Sequence, residues 1–354
     1  MLSQTNTLDF VWLELTNRCN LSCTHCYANS GPHAGDDDTL TVTDYENVLA
    51  GAAERGCRAV QFIGGEPTLN KDLPRLISKA RALNYDAVEV YSNLFSISPS
   101  LWRVFLDNNA SVATSFYSAD PAVFDRITTR AGSFARVIAN IDKAVALGLV
   151  LRVGVIVFDD TKDDLEQTLA FLRARGVTNT NVDHLRSFGR GAQQQQSEMK
   201  NLCGKCAGNI LVVGPNGVVA PCIMSKAWSV GDLGRQSLDD ILSGSALAET
   251  RLRIAEATAS ANQASECSPN DCQPYFNCSP NTQCSPCAPN GGNKCIPNHN
   301  CNPGQVNGRA SVKPGDMIGP GQVIAKMGSS GRSSGRTCTS RPSPHRLLSA
   351  STTL

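Results

Sequence analysis

Short apolar runs recur along the first half of the chain, separated by stretches in which apolar residues return every three to four positions. The runs Phe10–Leu15, Ala59–Ile63, Ala87–Tyr91, Ser111–Ser115, Leu151–Phe158 and Asn181–Leu185 predict strands. The intervening Val42–Arg55, Asp72–Leu83, Ser98–Asp107, Phe134–Leu147 and Asp163–Arg175 predict helices. Thr43, with Glu46 three residues on, is the expected N-cap of the first helix. Gly148 and Gly176 fall where later helices should stop. Strand and helix in alternation imply parallel strands joined by crossovers, as an open sheet or a partial barrel. Ligands of such sheets sit in the loops at the carboxyl ends of the strands.

The pattern changes after residue 190. Arg190 to Ser197 (RGAQQQQS) reads as a linker or exposed loop. Beyond it, NILVV and VVAPC flank Gly214-Pro215-Asn216-Gly217, a hairpin signal, and helices are expected at Ser237–Ser243 and Ala246–Thr258. Residues 268–303 are rich in Pro, Asn and Ser with few large apolar side chains, so a bound metal would have to organise them. Three regions are expected: 1–190, 191–303, and a tail, 304–354, largely disordered and non-functional.

Composition narrows the chemistry. Basic and acidic side chains balance at 32 and 31, which argues against a general nucleic-acid or anionic-membrane binder. No run of 18 apolar residues predicts a transmembrane helix, and Met1–Phe10 does not read as a secretory signal. A cytoplasmic setting is therefore expected, and there the 15 cysteines are better read as metal ligands than as disulfides. Seven of them fall between Cys267 and Cys301. Cys57, at a helix-to-strand junction, reads as a small buried hydrophobe.

Directly after the first strand stands Cys19-Asn-Leu-Ser-Cys23-Thr-His-Cys26. Three thiolates at this spacing can ligate three irons of a [4Fe–4S] cluster and leave the fourth open to another ligand. A zinc knuckle with a distant fourth ligand is the alternative. The arrangement resembles the radical S-adenosylmethionine (SAM) superfamily. That resemblance implies an α/β fold with a partial (β/α)6 barrel, and a cluster whose open iron binds the amino and carboxylate groups of SAM. It also implies one-electron cleavage of SAM to methionine and a 5′-deoxyadenosyl radical, which abstracts hydrogen from a substrate. His25 then lies near the adenine. Gly64-Gly65-Glu66-Pro67, after the second strand, would receive the SAM amino group, with Glu66 supporting either the backbone or the ammonium. Ser92 and Asn93 would touch the ribose or carboxylate, and Ser115 has the same role one strand later. Weaker matches are Asp125 with Gly132-Ser133-Phe134, where Thr128 replaces a common arginine, and the Gly189-Arg190 turn, which lacks the usual proline. Each alone reads equally well as ordinary loop chemistry; their order and spacing carry the resemblance.

The later cysteines resemble the SPASM extension, a small cysteine-rich domain that holds one or two auxiliary [4Fe–4S] clusters. By position Cys203, Cys206 and Cys222 would ligate the first, completed by Cys284. Cys267, Cys272 and Cys278 would begin the second, closed by Cys287, Cys295 or Cys301. The four residues between Cys267 and Cys272 depart from the family spacing, so a zinc site or one incomplete, substrate-binding cluster stays open. The resemblance favours a peptide or protein substrate, with a sugar or nucleoside metabolite as the alternative; a non-catalytic zinc or iron–sulfur interaction module is the non-enzymatic one. It implies an electron donor such as flavodoxin or ferredoxin. With nine residues before Phe10, any leader-peptide-binding protein is expected to be separate. No acid, base or hydrogen donor is assigned. Finally, Val312–Gly335 resembles a late segment of lysostaphin-type zinc peptidases. The following Arg336-Thr-Cys-Thr-Ser340 matches that family's Pro-His-Leu-His-Phe read in a shifted frame, which makes Cys338 an accident of translation.

Overall fold

A computed structural model describes residues 7–193 and 196–259. The expected ligands Cys267, Cys272, Cys278, Cys284, Cys287 and Cys295, and the tail from 304, lie outside the described residues.

Six strands form in chain order: β1 (Phe10–Glu14), β2 (Ala59–Ile63), β3 (Ala87–Tyr91), β4 (Ser111–Phe116), β5 (Leu151–Val157) and β6 (Asn179–His184). Each is parallel to the next. Helices α1 (Val42–Glu54), α2 (Leu73–Ala82), α3 (Pro99–Asp107), α4 (Pro121–Thr128), α5 (Ser133–Ala146) and α6 (Leu165–Ala174) lie in the connections. β6 and β1 do not pair, so the sheet stays open, as a partial barrel does. The other edge of β1 is taken by β7 (Ile210–Val213), also parallel, and the sheet ends in β8 (Val218–Ala220) and β9 (Gly231–Asp232), both antiparallel. Helices α7 (Leu238–Ser243) and α8 (Ser245–Ala259) follow. Among the described residues no helix is long and apolar enough to cross a membrane.

β1 is buried at every position, which is why it reads as a continuous apolar run. Its two faces nevertheless serve different cores. Val11 and Leu13 pack with Tyr45, Val48 and Leu49 of α1, while Phe10 and Trp12 pack with Ile210, Val212 and the later cysteines. The face that carries Trp12 becomes polar across the sheet: Gln61, Glu89, Arg152 and Asn181 interrupt their strands at matching parity.

The first cap differs from expectation. Thr41, not Thr43, caps α1: its hydroxyl accepts from the Asp44 amide at 3.3 Å and Asp44 accepts from the Thr41 amide at 2.8 Å. Glu46 instead pairs with Arg75 of α2 at 2.7 Å. Helix α4 was not expected; Asp120 caps it, accepting from the amides of Ala122 and Val123, with Pro121 at its first position. Gly148 and Gly176 end α5 and α6 with φ of 69° and 81°. Cys57 is fully buried.

Candidate active site

The loop that leaves β1 is closed at its neck, where the Cys19 amide donates to the Gly31 carbonyl at 3.0 Å. Segments distant in sequence hold its outward carbonyls. Arg130 Nη1 donates to Asn20 O at 2.7 Å and Thr129 Oγ1 to Ser22 O at 3.1 Å. From the turn after β6, Arg190 Nε donates to Cys23 O at 2.8 Å, Nη2 to Ser30 O at 2.7 Å, and its amide to Cys26 O at 2.9 Å. Cys19, Cys23 and Cys26 all line one cavity of about 230 Å³ at the carboxyl ends of the strands. Burial pushes the Cys19 thiol up to about 11, raised further by Glu66 and Cys26, and the Cys23 thiol up to about 12, raised further by Cys19 and Cys26. Such thiols lose their protons when a cation arrives to balance them. Among the described residues no three His, Cys, Asp or Glu side chains close to the spacing of one metal ion.

The diglycine is dictated by the protein's own backbone. Gly65 N donates to Thr16 O at 2.7 Å and Glu66 N to Arg18 O at 2.9 Å, so the segment is laced to the start of the cysteine loop. A Cβ on Gly65 would sit 2.2 Å from Arg18 O, and Gly64, at φ 133°, would place one 2.5 Å from Thr16 O. Gly64 and Gly65 line the cavity, but Glu66, Pro67 and Ser92 stand behind its wall. The buried Glu66 carboxylate, pushed above the usual range by desolvation, accepts from Thr68 Oγ1 (2.7 Å), Ser92 Oγ (2.9 Å) and the Asn93 amide (2.7 Å). Those bonds aim Asn93, whose Nδ2 reaches Asn20 Oδ1 at 2.7 Å and Cys19 Sγ at 3.5 Å. Of the two roles open to Glu66, the structure displays the support of the backbone.

His25 and Ser115 are also on the wall. The His25 ring meets Tyr117 and Phe158 edge-on, with centroids 4.8 and 5.2 Å away. Burial, and then the charge of Arg190, lower its pKa to about 4, so the imidazole is neutral at pH 7. Its Nδ1 is buried and meets no hydrogen-bond partner. Ser115 Oγ lies 2.9 Å from Tyr91 Oη. On the strand side Glu89 accepts from Arg152 Nη2 at 2.8 Å and from Gln61 Nε2, with all three side chains buried.

Cys203, Cys206 and Cys222 line a second, smaller cavity of about 20 Å³ that shares Trp12, Arg186, Ile223 and Met224 with the first. Cys203 is held in a disulfide and is not a thiolate. Cys206 and Cys222 share a hydrogen bond that pushes Cys206 well above the ordinary thiol range; together with bonds from the Met224 and Ser225 amides it outweighs burial and holds Cys222 below it. Four residues on, Lys226 Nζ lies 2.6 Å from Oε2 of the fully buried Glu14, whose Oε1 accepts from Tyr27 at 3.2 Å. The expectations missed this triad, the Glu89–Arg152 pair and the reach of Arg190. A signal for the pair was present: a charge at inward parity in an otherwise apolar strand run.

Two stretches of the chain match known domains. Residues 13–172 match the radical SAM superfamily, and residues 203–273 match SPASM, an iron–sulfur cluster-binding domain. In these two stretches the chain is similar to a radical SAM domain followed by a SPASM domain. Among relatives, the PqqA peptide cyclase of Xanthomonas campestris pv. campestris (strain B100) is 29% identical over 189 residues, 53% of this chain and 50% of that one. The GTP 3′,8-cyclase of Rhizobium leguminosarum bv. trifolii is 24% identical over 178 residues, 49% of this chain and 51% of that one. The chain thus spans about half the length of the curated relatives it matches. The crystal structure of Streptococcus suis SuiB bound to S-adenosylmethionine superposes with a TM-score of 0.58 at 13% identity, covering 69% of this chain and 68% of that one, which shows the fold.

Proposed function

We propose that this radical SAM domain cleaves SAM reductively and takes a hydrogen atom from a peptide. Three thiols on the wall of one cavity, Cys19 buried and Cys23 and Cys26 half-buried, with the neutral His25 beside them, carry this reading. Cys19, Cys23 and Cys26 would hold the [4Fe–4S] cluster, and His25 with Tyr117 and Phe158 offers a ring-lined recess that suits adenine. Gly64, Gly65, Asn93 and Ser115 would face SAM, while Glu66, Pro67 and Ser92 hold that wall in shape. When bound, the reduced cluster supplies the electron that splits SAM into methionine and the 5′-deoxyadenosyl radical. The protein's part is to orient SAM and substrate and to keep water from the radical. Cys203, Cys206 and Cys222, once Cys203 is reduced, would serve an auxiliary cluster with Cys284; Cys267, Cys272 and Cys278 would begin a second, closed by Cys287, Cys295 or Cys301.

The peptide assignment follows the similarity to a peptide cyclase; the similarity to a GTP cyclase supports a nucleotide-like metabolite as the second reading. A flavodoxin or ferredoxin donor, a separate leader-binding protein and a reducing, cytoplasmic setting complete the proposal. The tail beyond Gly335 is read as out-of-frame peptidase sequence, which sequencing the transcript tests.

Anaerobic reconstitution decides the central point. Iron and sulfide in equal amounts are expected, with 5′-deoxyadenosine released on adding SAM and dithionite, and none released by Cys19→Ala, Cys23→Ala or Cys26→Ala. Zinc without sulfide, or full activity in any of the three variants, overturns it.

A further inference from the structure

Arg190 spans the seam at which the sheet fails to close. β6 and β1 are not paired, yet the turn after β6 reaches the loop after β1 through Arg190, which donates to the carbonyls of Cys23, Cys26 and Ser30. The flanking glycines permit this approach. A Cβ on Gly189 would lie 2.3 Å from Cys26 O, and one on Gly191 would lie 2.7 Å from Arg186 O and 3.2 Å from His25 O. Among the described residues no carboxylate pairs with Arg190, so its charge is directed at the peptide dipoles beside the thiols. Arg130 and Thr129 brace the early part of the same loop, at Asn20 and Ser22, but neither spans the stretch from Cys23 to Ser30.

We infer that Arg190 is a positioning residue for the cluster site. It fixes the path of the chain from Cys23 to Ser30, so that the second and third thiolates keep their places relative to the first, and its charge favours the reduced state of what they hold. The two parts of this role are separable. A lysine keeps the charge but cannot bridge two carbonyls with a rigid fork, whereas an alanine removes both. The inference rests on the reading of Cys19, Cys23 and Cys26 as cluster ligands.

The test uses the full chain, reconstituted anaerobically, as wild type, Arg190→Ala, Arg190→Lys and Arg175→Ala. Arg175, which pairs with Asp142 on the helical side, serves as the control. Two quantities are followed for the cluster whose EPR spectrum changes on adding SAM: its loss to a ferrous-iron chelator and its midpoint potential. Arg190→Ala is expected to lose it about 10–100 times faster, the usual effect of removing a partner that orients metal ligands, and to show a more negative midpoint. Arg190→Lys should keep a midpoint near wild type while losing iron at an intermediate rate, and Arg175→Ala should match wild type in both. Wild-type chelation kinetics and midpoint in Arg190→Ala would overturn the inference. A midpoint in Arg190→Lys as negative as in Arg190→Ala would overturn its charge component. If Arg190→Ala fails to fold by circular dichroism, Arg190→Lys decides: wild-type chelation kinetics in that variant overturn the bridging role. Wild-type protein that assembles no SAM-responsive cluster overturns the underlying ligand reading instead, a result visible before any Arg190 variant is made.

Discussion

The buried pair on the strand side of the cavity gives a sharp test of how this interior is held. Glu89 is 2% exposed and Arg152 6%, and Gln61, at 1%, donates to the same carboxylate. Glu89→Gln keeps the shape but strips the guanidinium of its buried counter-charge, and Arg152→Met does the reverse. Breaking a buried pair from one side costs about 3–5 kcal/mol, because the remaining charge stays desolvated. For a body of this size that corresponds to a fall in melting temperature of roughly 6–20 °C. The double variant removes both charges, so its cost should fall short of the sum of the singles by about 2–3 kcal/mol. The assay is a double-mutant cycle by urea unfolding, with thermal scans at one fixed rate. Additivity within about 0.5 kcal/mol would show that the two groups do not depend on each other, and would refute the reasoning.

Three other substitutions probe separate features. Thr41→Ala should cost about 1 kcal/mol and Thr43→Ala close to none, read from urea midpoints, since only Thr41 caps α1. Gly65→Ala forces a methyl against Arg18 O, so a loss of about 1–3 kcal/mol is expected together with weakened SAM cleavage; wild-type stability would show that the loop start gives way freely. Lys226→Met leaves the buried Glu14 with only the Tyr27 hydroxyl and should cost about 3 kcal/mol, recovered in part by adding Glu14→Gln. No recovery in that double variant would mean that Lys226 acts through packing rather than charge.

What could be read from the chain follows physical locality. Strands β1 to β5 announce themselves because both faces are covered and, β4 apart, only one position in each is charged or an amide. The first cap was misplaced because Thr41–Asp44 and Thr43–Glu46 present the same pattern two residues apart, and only tertiary packing, which gives Glu46 to Arg75, separates them. Helix α4 is only eight residues long, too short for its periodicity to show. The cysteine spacing and the diglycine are contiguous signals and were legible. The aim of Glu66 was not, since a carboxylate beside a cavity suits a ligand or a hydroxyl equally until the fold brings Ser92 and Thr68 to it. Arg190 lies 160 and 167 residues from the carbonyls it bridges, and no local pattern encodes that.

The pairing of β1 with both β2 and β7 also has a consequence for the order of events at the ribosome. The cysteine loop emerges early, but the strand that carries it keeps one edge unpaired until residues 210–213 have been made. Through most of synthesis Phe10 and Trp12 therefore lack their apolar partners Ile210 and Val212, and a fully buried strand must wait in a half-built sheet. Iron delivered before residue 190 has been made would meet thiols that still lack their brace from Arg190. The chain's first strand is in this sense completed only after β2 to β6 have all been made.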